Sequence, residues 1–401
     1  MSLYTILCMF FETHVESQLL KAMNMRHISD QREQVKKMKY HFSTTVSISL
    51  FVLCLLLLSA CNFSGNAGTT VSATNTPTMA PTPTINTTLS NKGNAQLQAF
   101  QKWITLMKQS GGDTTLYQQQ YNTDRQALQS AKTDTAYQTA LTTLNGHVTA
   151  IQLPATKTES SHLQQQLNQE VTAWGQQHKY HNAYNNTDYA LGYEYGPAGM
   201  GGWAQDELSS AKTLADYQQA VDDLNMYLTN FHAMTTNSSD KTPYSQVHQS
   251  DIQLMQHYGN INKRVVIVSL EEQAMRVYDN GKLVKSFLVT TGRPNKPTLA
   301  GTWWVEGKQS PTTFKSGVPK SSPDYYPPTP INFAMQYHSE GYFIHDSWWR
   351  VNYGPGTNYP HADDSGDPFS AQGSHGCVNM AKADAGWLYN YVKLYTPIMI
   401  Y

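Results

Sequence analysis

Gly373-Ser374-His375-Gly376-Cys377-Val378-Asn379-Met380, close to the C-terminus, is the stretch from which the chain is best read. It sets a thiol and an imidazole two residues apart, and on an extended segment alternate side chains share a face. A thiol of ordinary pKa near 8.5 is only about 3% thiolate at pH 7, so a cysteine nucleophile needs a neighbouring base or positive charge. His375 can be that neighbour. Gly376 removes a side chain where an acyl group must approach, and backbone N–H groups around Gly376 and Cys377 can face a developing oxyanion. The pattern suits acyl transfer. The plainer alternative is a small buried apolar cysteine with a histidine beside it by chance.

Upstream, Tyr342-Phe343-Ile344 reads as a buried strand that ends in His345 and Asp346. A histidine in that place is ordinarily a satisfied core residue. Further back the periodicity is that of strands. Arg264–Leu270 is rich in β-branched residues, and Ala274–Tyr278 and Leu283–Thr290 flank Asp279-Asn280-Gly281-Lys282, a hairpin turn with the residues that positive φ demands.

The segment SHGCVNM, the Ile344-His345-Asp346 run and the strands from Arg264 together resemble the L,D-transpeptidases with a YkuD-type catalytic domain, bacterial enzymes that cross-link peptidoglycan through a cysteine. The likeness covers about a third of the chain. It implies a mainly-β catalytic domain over 261–401, with Cys377 as nucleophile and His345 as the base that deprotonates it and later protonates the leaving amine. Asp346 would hold the His345 tautomer, by side chain or backbone carbonyl. His375, with Ser374 and Gly376 in the same motif, would shape the oxyanion site or substitute as base. Asn379 matches the asparagine that ends the family motif.

The 29 residues between His345 and His375 exceed the spacing of shorter family members. Trp348-Trp349-Arg350 and Tyr353-Gly354 in that insert look like a branch of the family. Trp349, Arg350 and Asn379 are candidate substrate contacts, Arg350 either pairing a carboxylate or bracing the insert. Pro297–Val305 resembles the family's next strand with Pro and Thr exchanged in order, and the long Pro- and Ser-rich stretch 306–330 would contribute to the cleft wall. The implied substrate is a tetrapeptide stem, attacked at its third residue with loss of D-Ala. An amine from a neighbouring stem would then resolve the thioester. Water as acceptor would make the enzyme an L,D-carboxypeptidase. The same resemblance leaves room for a wall-protein ligase or a catalytically silent wall-binding protein. No cofactor is implied. A zinc peptidase using His338, His345, His361, Asp363 and His375 lacks an HExxH-type arrangement.

The remainder supports this reading. At 401 residues the chain is long enough for two folded units, and a net charge of -1 with 14% charged residues offers no nucleic-acid footprint. Lys36, Lys37 and Lys39 precede an apolar run from Val46 to Leu58, shorter than the roughly 20 residues of a spanning helix. The run ends in Leu58-Ser59-Ala60-Cys61, like a lipobox. Residues 1–61 thus read as a leader and lipoprotein-type signal with its start near Met38, Cys61 as the lipidation site and membrane anchor, and the protein as extracytoplasmic. Cys377 would then be an unpaired thiol outside the cytosol.

Residues 62–92, rich in Thr, Pro and Ser, read as a disordered tether able to span up to roughly 90 Å. Residues 93–235 read as an all-α bundle, preceding a linker at 236–260. Within the bundle Leu128–Ile151 matches Leu208–Phe231 at an offset of 80, pairing Ala131 with Ala211, Tyr137 with Tyr217 and Leu144 with Leu224. Two helical hairpins follow, with a helix over Ser161–His178 between them. The aromatic loop from Tyr180 to Trp203 reads as packing rather than a glycan-stacking surface. His178 and His181 lack a third ligand for a metal. The bundle's partner is not legible.

Overall fold

The computed structural model describes residues 85–401; the leader, the lipidation site Cys61 and residues 62–84 of the expected tether lie outside them. The described part is helical first and β-rich after, as the change in periodicity predicts.

Helix α1 spans Thr87–Gln109, so its first turn takes in residues assigned above to the tether. The reason is local. Asn86 caps the helix by accepting from the Thr88 and Leu89 N–H groups, and Gly93 lies against the Tyr137 ring, where any side chain would collide. Helix α2 follows at Thr115–Ser130 and α3 at Asp134–Gln177. The helix expected over Ser161–His178 is the second half of α3, which runs 44 residues and carries Pro154 inside it without ending.

A hairpin of β1 (Lys179–Asn182) and β2 (Thr187–Ala190) comes next, then α4 (Met200–Ser210) and α5 (Leu214–Asn237). The 80-residue repeat is visible as geometry. Helix α2 ends at Ser130 and α3 begins at Asp134 behind an N-cap at Thr133; α4 ends at Ser210 and α5 begins at Leu214 behind an N-cap at Thr213. The two copies serve different cores. Phe100, Ile104, Leu141, Leu144 and Ile151 close a three-helix cluster, whereas Leu224, Phe231 and Met234 pack into the core of the β-rich part.

The stretch 236–260 is structured rather than a linker. Helix α6 spans Gln249–His257, and its fully buried Asp251 pairs with buried Arg276 and accepts from Tyr278 Oη at 2.6 Å. Asn230 of α5 donates to the Ile400 carbonyl at 3.0 Å. A buried ion pair and a buried amide do not form across a flexible joint, because either partner alone would be stranded without water. The second helical hairpin and the β-rich part are thus one body.

Strands β3 (Arg264–Ser269), β4 (Ala274–Asp279) and β5 (Lys282–Leu288) form a meander with the expected turn, Asn280 and Gly281 both at positive φ. Strand β6 is Gly301–Trp304. Three short strands, β7 (Gly307–Gln309), β8 (Thr312–Phe314) and β9 (Thr329–Ile331), lie in the long 306–330 region. Strands β10 (Ala334–His338), β11 (Tyr342–Asp346) and β12 (Val378–Met380) precede helix α7 (Lys382–Tyr391) and β13 (Pro397–Ile400). One sheet has the order β5-β4-β3-β13-β6 and the other β12-β11-β10-β7. Thr290, just past β5, exchanges both backbone hydrogen bonds with Asn379. The motif strand is therefore held from both sides.

Candidate active site

Parallel pairing of β11 with β12 sets His345 opposite Asn379 and Ile344 opposite Val378. Side chains alternate along a strand, so His345 and Asn379 share a face while Val378 and Ile344 point into the core. Cys377 precedes β12 by one residue. Its Sγ lies 3.9 Å from the Gly341 carbonyl, and the residue is half-buried.

His345 is buried and its orientation is fixed. Nδ1 lies 2.8 Å from the main-chain carbonyl of Asp346, which can only accept, so Nδ1 carries the proton and Nε2 the lone pair. Asn379 Nδ2 donates to that lone pair at 3.1 Å, and Asn379 Oδ1 is left buried without a partner. The Asp346 carboxylate is engaged elsewhere. It accepts from the N–H groups of Asn332 and Phe333 at 2.9 and 2.7 Å and from Asn332 Nδ2 at 2.8 Å. Of the two routes by which Asp346 could hold the ring, the structure uses the carbonyl.

Burial sets the protonation of the pair. It pulls the His345 imidazole down to about 4 and pushes the Cys377 thiol up to about 11, with the Phe343 N–H partly offsetting the latter. Both groups are neutral at pH 7.

The motif itself bends. Gly376 sits at φ +114°, and a Cβ there would lie 2.6 Å from the Tyr342 ring and 3.2 Å from the Pro297 carbonyl. The alternation expected to put His375 and Cys377 on one face is therefore broken. His375 is exposed and tilts against Tyr326, ring centroids 5.7 Å apart. Ser374 braces the bend: Oγ donates to the Cys377 carbonyl and accepts from the Gly376 N–H at 3.0 Å. The Gly376 N–H is thus engaged by Ser374. Thr298 Oγ1 donates to the Gly376 carbonyl at 2.8 Å and accepts from the Gly292 N–H.

Two residues singled out in the insert part company. Trp349 lies beside His345, ring centroids 6.0 Å apart. Arg350 is 3% exposed beneath the insert and donates to the Gln372 carbonyl at 3.1 Å, so of its two readings the structure favours the brace. Sequence reasoning missed several wall residues. Phe314, from the long loop, stands edge-on to His345 at 5.0 Å. Burial, with a smaller part from nearby Cys377, raises the hydroxyl pKa of Tyr326, Tyr337 and Tyr342. Trp203, on helix α4, meets Tyr342 at 6.2 Å. The Tyr-Tyr pair after the Pro-rich stretch was the available signal; nothing local marks Phe314 or Trp203.

Tyr180 stacks on Tyr359 at 4.6 Å and Asn182 donates to the Pro360 carbonyl, so that aromatic hairpin does pack against the catalytic insert. His178 stacks on Trp174, and His181 bonds Asp188. Among the described residues no group of three or more His, Cys, Asp or Glu is arranged to hold a metal ion.

Comparison with known proteins bears on the same region. The family described as the L,D-transpeptidase catalytic domain, YkuD, matches residues 263–400. Residues 263–400 are an L,D-transpeptidase catalytic domain. Around this transpeptidase domain, the chain is 24% identical over 161 residues to L,D-transpeptidase 1 of Mycobacterium tuberculosis, covering 39% of this chain and 58% of that protein. It is 32% identical over 117 residues to that species' L,D-transpeptidase 2, covering 28% and 25% of the two chains. The chain thus spans little more than half the length of the first of these relatives. Among solved structures, an L,D-transpeptidase from Mycobacterium smegmatis matches at 24% identity and a TM-score of 0.29, covering 35% of this chain and 58% of that one. The catalytic domain of an E. faecium L,D-transpeptidase matches at 29% identity and 0.28, covering 35% and 98%.

Proposed function

We propose that this protein is a peptidoglycan L,D-transpeptidase that works through a Cys377 thioester. The observation that carries the reading is the fixed His345 tautomer, which leaves Nε2 as the basic nitrogen on the strand paired with the segment that follows Cys377, inside a domain that matches the L,D-transpeptidase catalytic family.

The chemistry follows from the resting state. As Sγ attacks the carbonyl of the third residue of a tetrapeptide stem, its proton passes to His345 Nε2 and the S–C bond forms. The carbonyl oxygen takes the negative charge, and with the Gly376 N–H committed to Ser374 the donor at hand is the Cys377 N–H. Collapse breaks the C–N bond to D-Ala, whose nitrogen takes the proton from Nε2. The amine of a second stem then attacks the thioester, gives a proton to His345 and restores the thiol.

Asn379 has a part in this cycle. Its Nδ2–H suits a neutral His345, but an imidazolium needs an acceptor at Nε2. A half-turn of the amide brings the unpartnered Oδ1 there, so one side chain serves both states. Trp349, Phe314 and Tyr342 would wall the cleft. His375, which is exposed, would meet substrate rather than act as the base.

The wall substrate puts the protein outside the cytoplasm, held there by a lipid on Cys61. No described helix is long and apolar enough to cross a membrane. Incubating the protein with purified disaccharide-tetrapeptide and separating the products tests the reading. A cross-linked dimer with one D-Ala released per bond supports it, tripeptide alone makes the protein an L,D-carboxypeptidase, and no D-Ala at all refutes both.

A further inference from the structure

The turn between β10 and β11 supplies part of the setting of Cys377. The Gly341 carbonyl lies 3.9 Å from Sγ, and the Phe343 N–H is hydrogen-bonded to the same residue. Between them stands Tyr342, whose ring covers Gly376 so closely that a Cβ there would lie 2.6 Å from it. Ser339, Glu340 and Gly341 are exposed, Gly341 is at φ +88°, and the pairing of β10 with β11 shifts register between Gln336 and His338. An exposed, irregular turn has little of its own to keep it in one place.

What holds it comes from outside the two strands. His338, at the end of β10, accepts from the Glu340 N–H at Nδ1, 3.3 Å away. Two tryptophans meet its ring nearly at right angles, Trp203 of α4 at 5.3 Å and 70° and Trp303 of β6 at 5.0 Å and 80°. Trp203 also meets Tyr342 at 6.2 Å and 74°, and His338 meets Tyr342 at 6.1 Å and 84°. Edge-to-face contacts of this kind fix relative orientation as well as burying apolar area.

Trp203 is itself held. It sits in the first turn of α4, its N–H donating to the Gly199 carbonyl at 3.1 Å. A Cβ at Gly199 or Gly202 would stand 1.9 or 2.1 Å from the carbonyl oxygens of Glu194 and Pro197, so the loop before the helix is closely packed. At the start of that loop the Tyr193 hydroxyl donates to the Gly292 carbonyl at 2.7 Å, and Gly292 bridges Ser374 of the motif. Residues 193–203 thus reach the surroundings of Cys377 at both ends.

We propose that Trp203 is a positioning residue for Cys377: packed on His338 and Tyr342, it holds the 338–343 turn so that the Gly341 carbonyl and the Phe343 N–H set the place of Sγ. The proposal rests on the reading of Cys377 as the nucleophile, and it makes the helical part a piece of the active site rather than a spacer. A reacting atom misplaced by about 1 Å can cost on the order of a hundredfold in rate.

Steady-state D-Ala release from the tetrapeptide stem and alkylation of Cys377 by iodoacetamide at pH 8, each per folded molecule of the full chain, test it. Trp203→Ala should lower kcat at least about tenfold with KM within about twofold. It should also speed alkylation at least about threefold, because a loosened turn lets water reach Sγ. Trp203→Phe keeps an aromatic edge for His338 and Tyr342 and should recover most of both. Leu144→Ala opens a hole in the separate three-helix cluster, and should lower stability while leaving kcat and alkylation unchanged. Unchanged kcat or unchanged alkylation in a folded Trp203→Ala protein overturns the proposal. So do a loss confined to KM, a phenylalanine variant no better than alanine, or an equal loss in Leu144→Ala. A wild type that releases no D-Ala refutes the transpeptidase reading instead, and the alkylation rates alone then decide whether Trp203 holds the turn.

Discussion

His345 gives its Nδ1 proton to the backbone carbonyl of Asp346, 2.8 Å away, while the Asp346 carboxylate turns to the Asn332 and Phe333 N–H groups instead. A pair of neighbours that looks like a His–Asp couple divides its work between main chain and side chain. Removing that carboxylate should therefore harm the fold more than the chemistry. Asp346→Ala strands two backbone donors in a buried place, at about 1–3 kcal/mol each. Thermal unfolding should move down by several degrees or more, while kcat per folded molecule stays within a few-fold. A kcat loss of a thousandfold at unchanged stability would mean the carboxylate acts on the ring.

The neutral pair predicts a pH profile for thiol reactivity. With the thiol near 11, about one molecule in ten thousand is thiolate at pH 7, and a His345 near 4 cannot supply a positive charge to raise that fraction. Alkylation of Cys377 by iodoacetamide should rise about tenfold per pH unit up to pH 9 with no plateau. A plateau with a midpoint near 6 would reveal a resting thiolate–imidazolium pair.

At Gly376 both backbone and space exclude a side chain. An alanine there must hold φ +114° and push its Cβ into the Tyr342 ring. Gly376→Ala should lower kcat/KM by at least a hundredfold while the far-UV spectrum is retained. Activity within a few-fold of wild type would show that the bend is not needed.

The buried join between helices and sheet is open to a separate test. Asp251→Ala takes from buried Arg276 its buried carboxylate partner, leaving only Glu272 at 2.8 Å, and should cost about 3 kcal/mol in urea unfolding. Asp251 belongs to no β-strand, so a loss of that size locates part of the catalytic domain's stability in α6. A loss under 1 kcal/mol would make the helix a passive spacer.

How far the sequence could be read depended on the range of the interactions. The Asp279–Lys282 turn and the Leu128/Leu208 repeat are written in local chemistry, and both stand in the structure as offset and turn type require. The stretch 236–260 was illegible because α6 is held by Arg276, Tyr278 and Tyr401, none of them near it in sequence. At the site, His345 and Asn379 are joined by a parallel pairing across 34 positions that the motif alone does not announce. At His375 the positive φ of Gly376 interrupts the extended backbone that the alternation assumed. Arg350, polar and set in an insert, reads as a ligand for substrate but is covered by the fold of the insert itself.

Everything proposed for Cys377 rests on the acyl-enzyme, and intact-mass spectrometry of the protein incubated with a tetrapeptide stem tests it most directly. The expected result is a mass gain equal to the stem less D-Ala in the wild type, none in Cys377→Ala, and a slowed appearance of the adduct in a folded His345→Ala protein. An adduct that persists in Cys377→Ala, or a well-folded wild type that neither gains mass nor releases D-Ala, would contradict it.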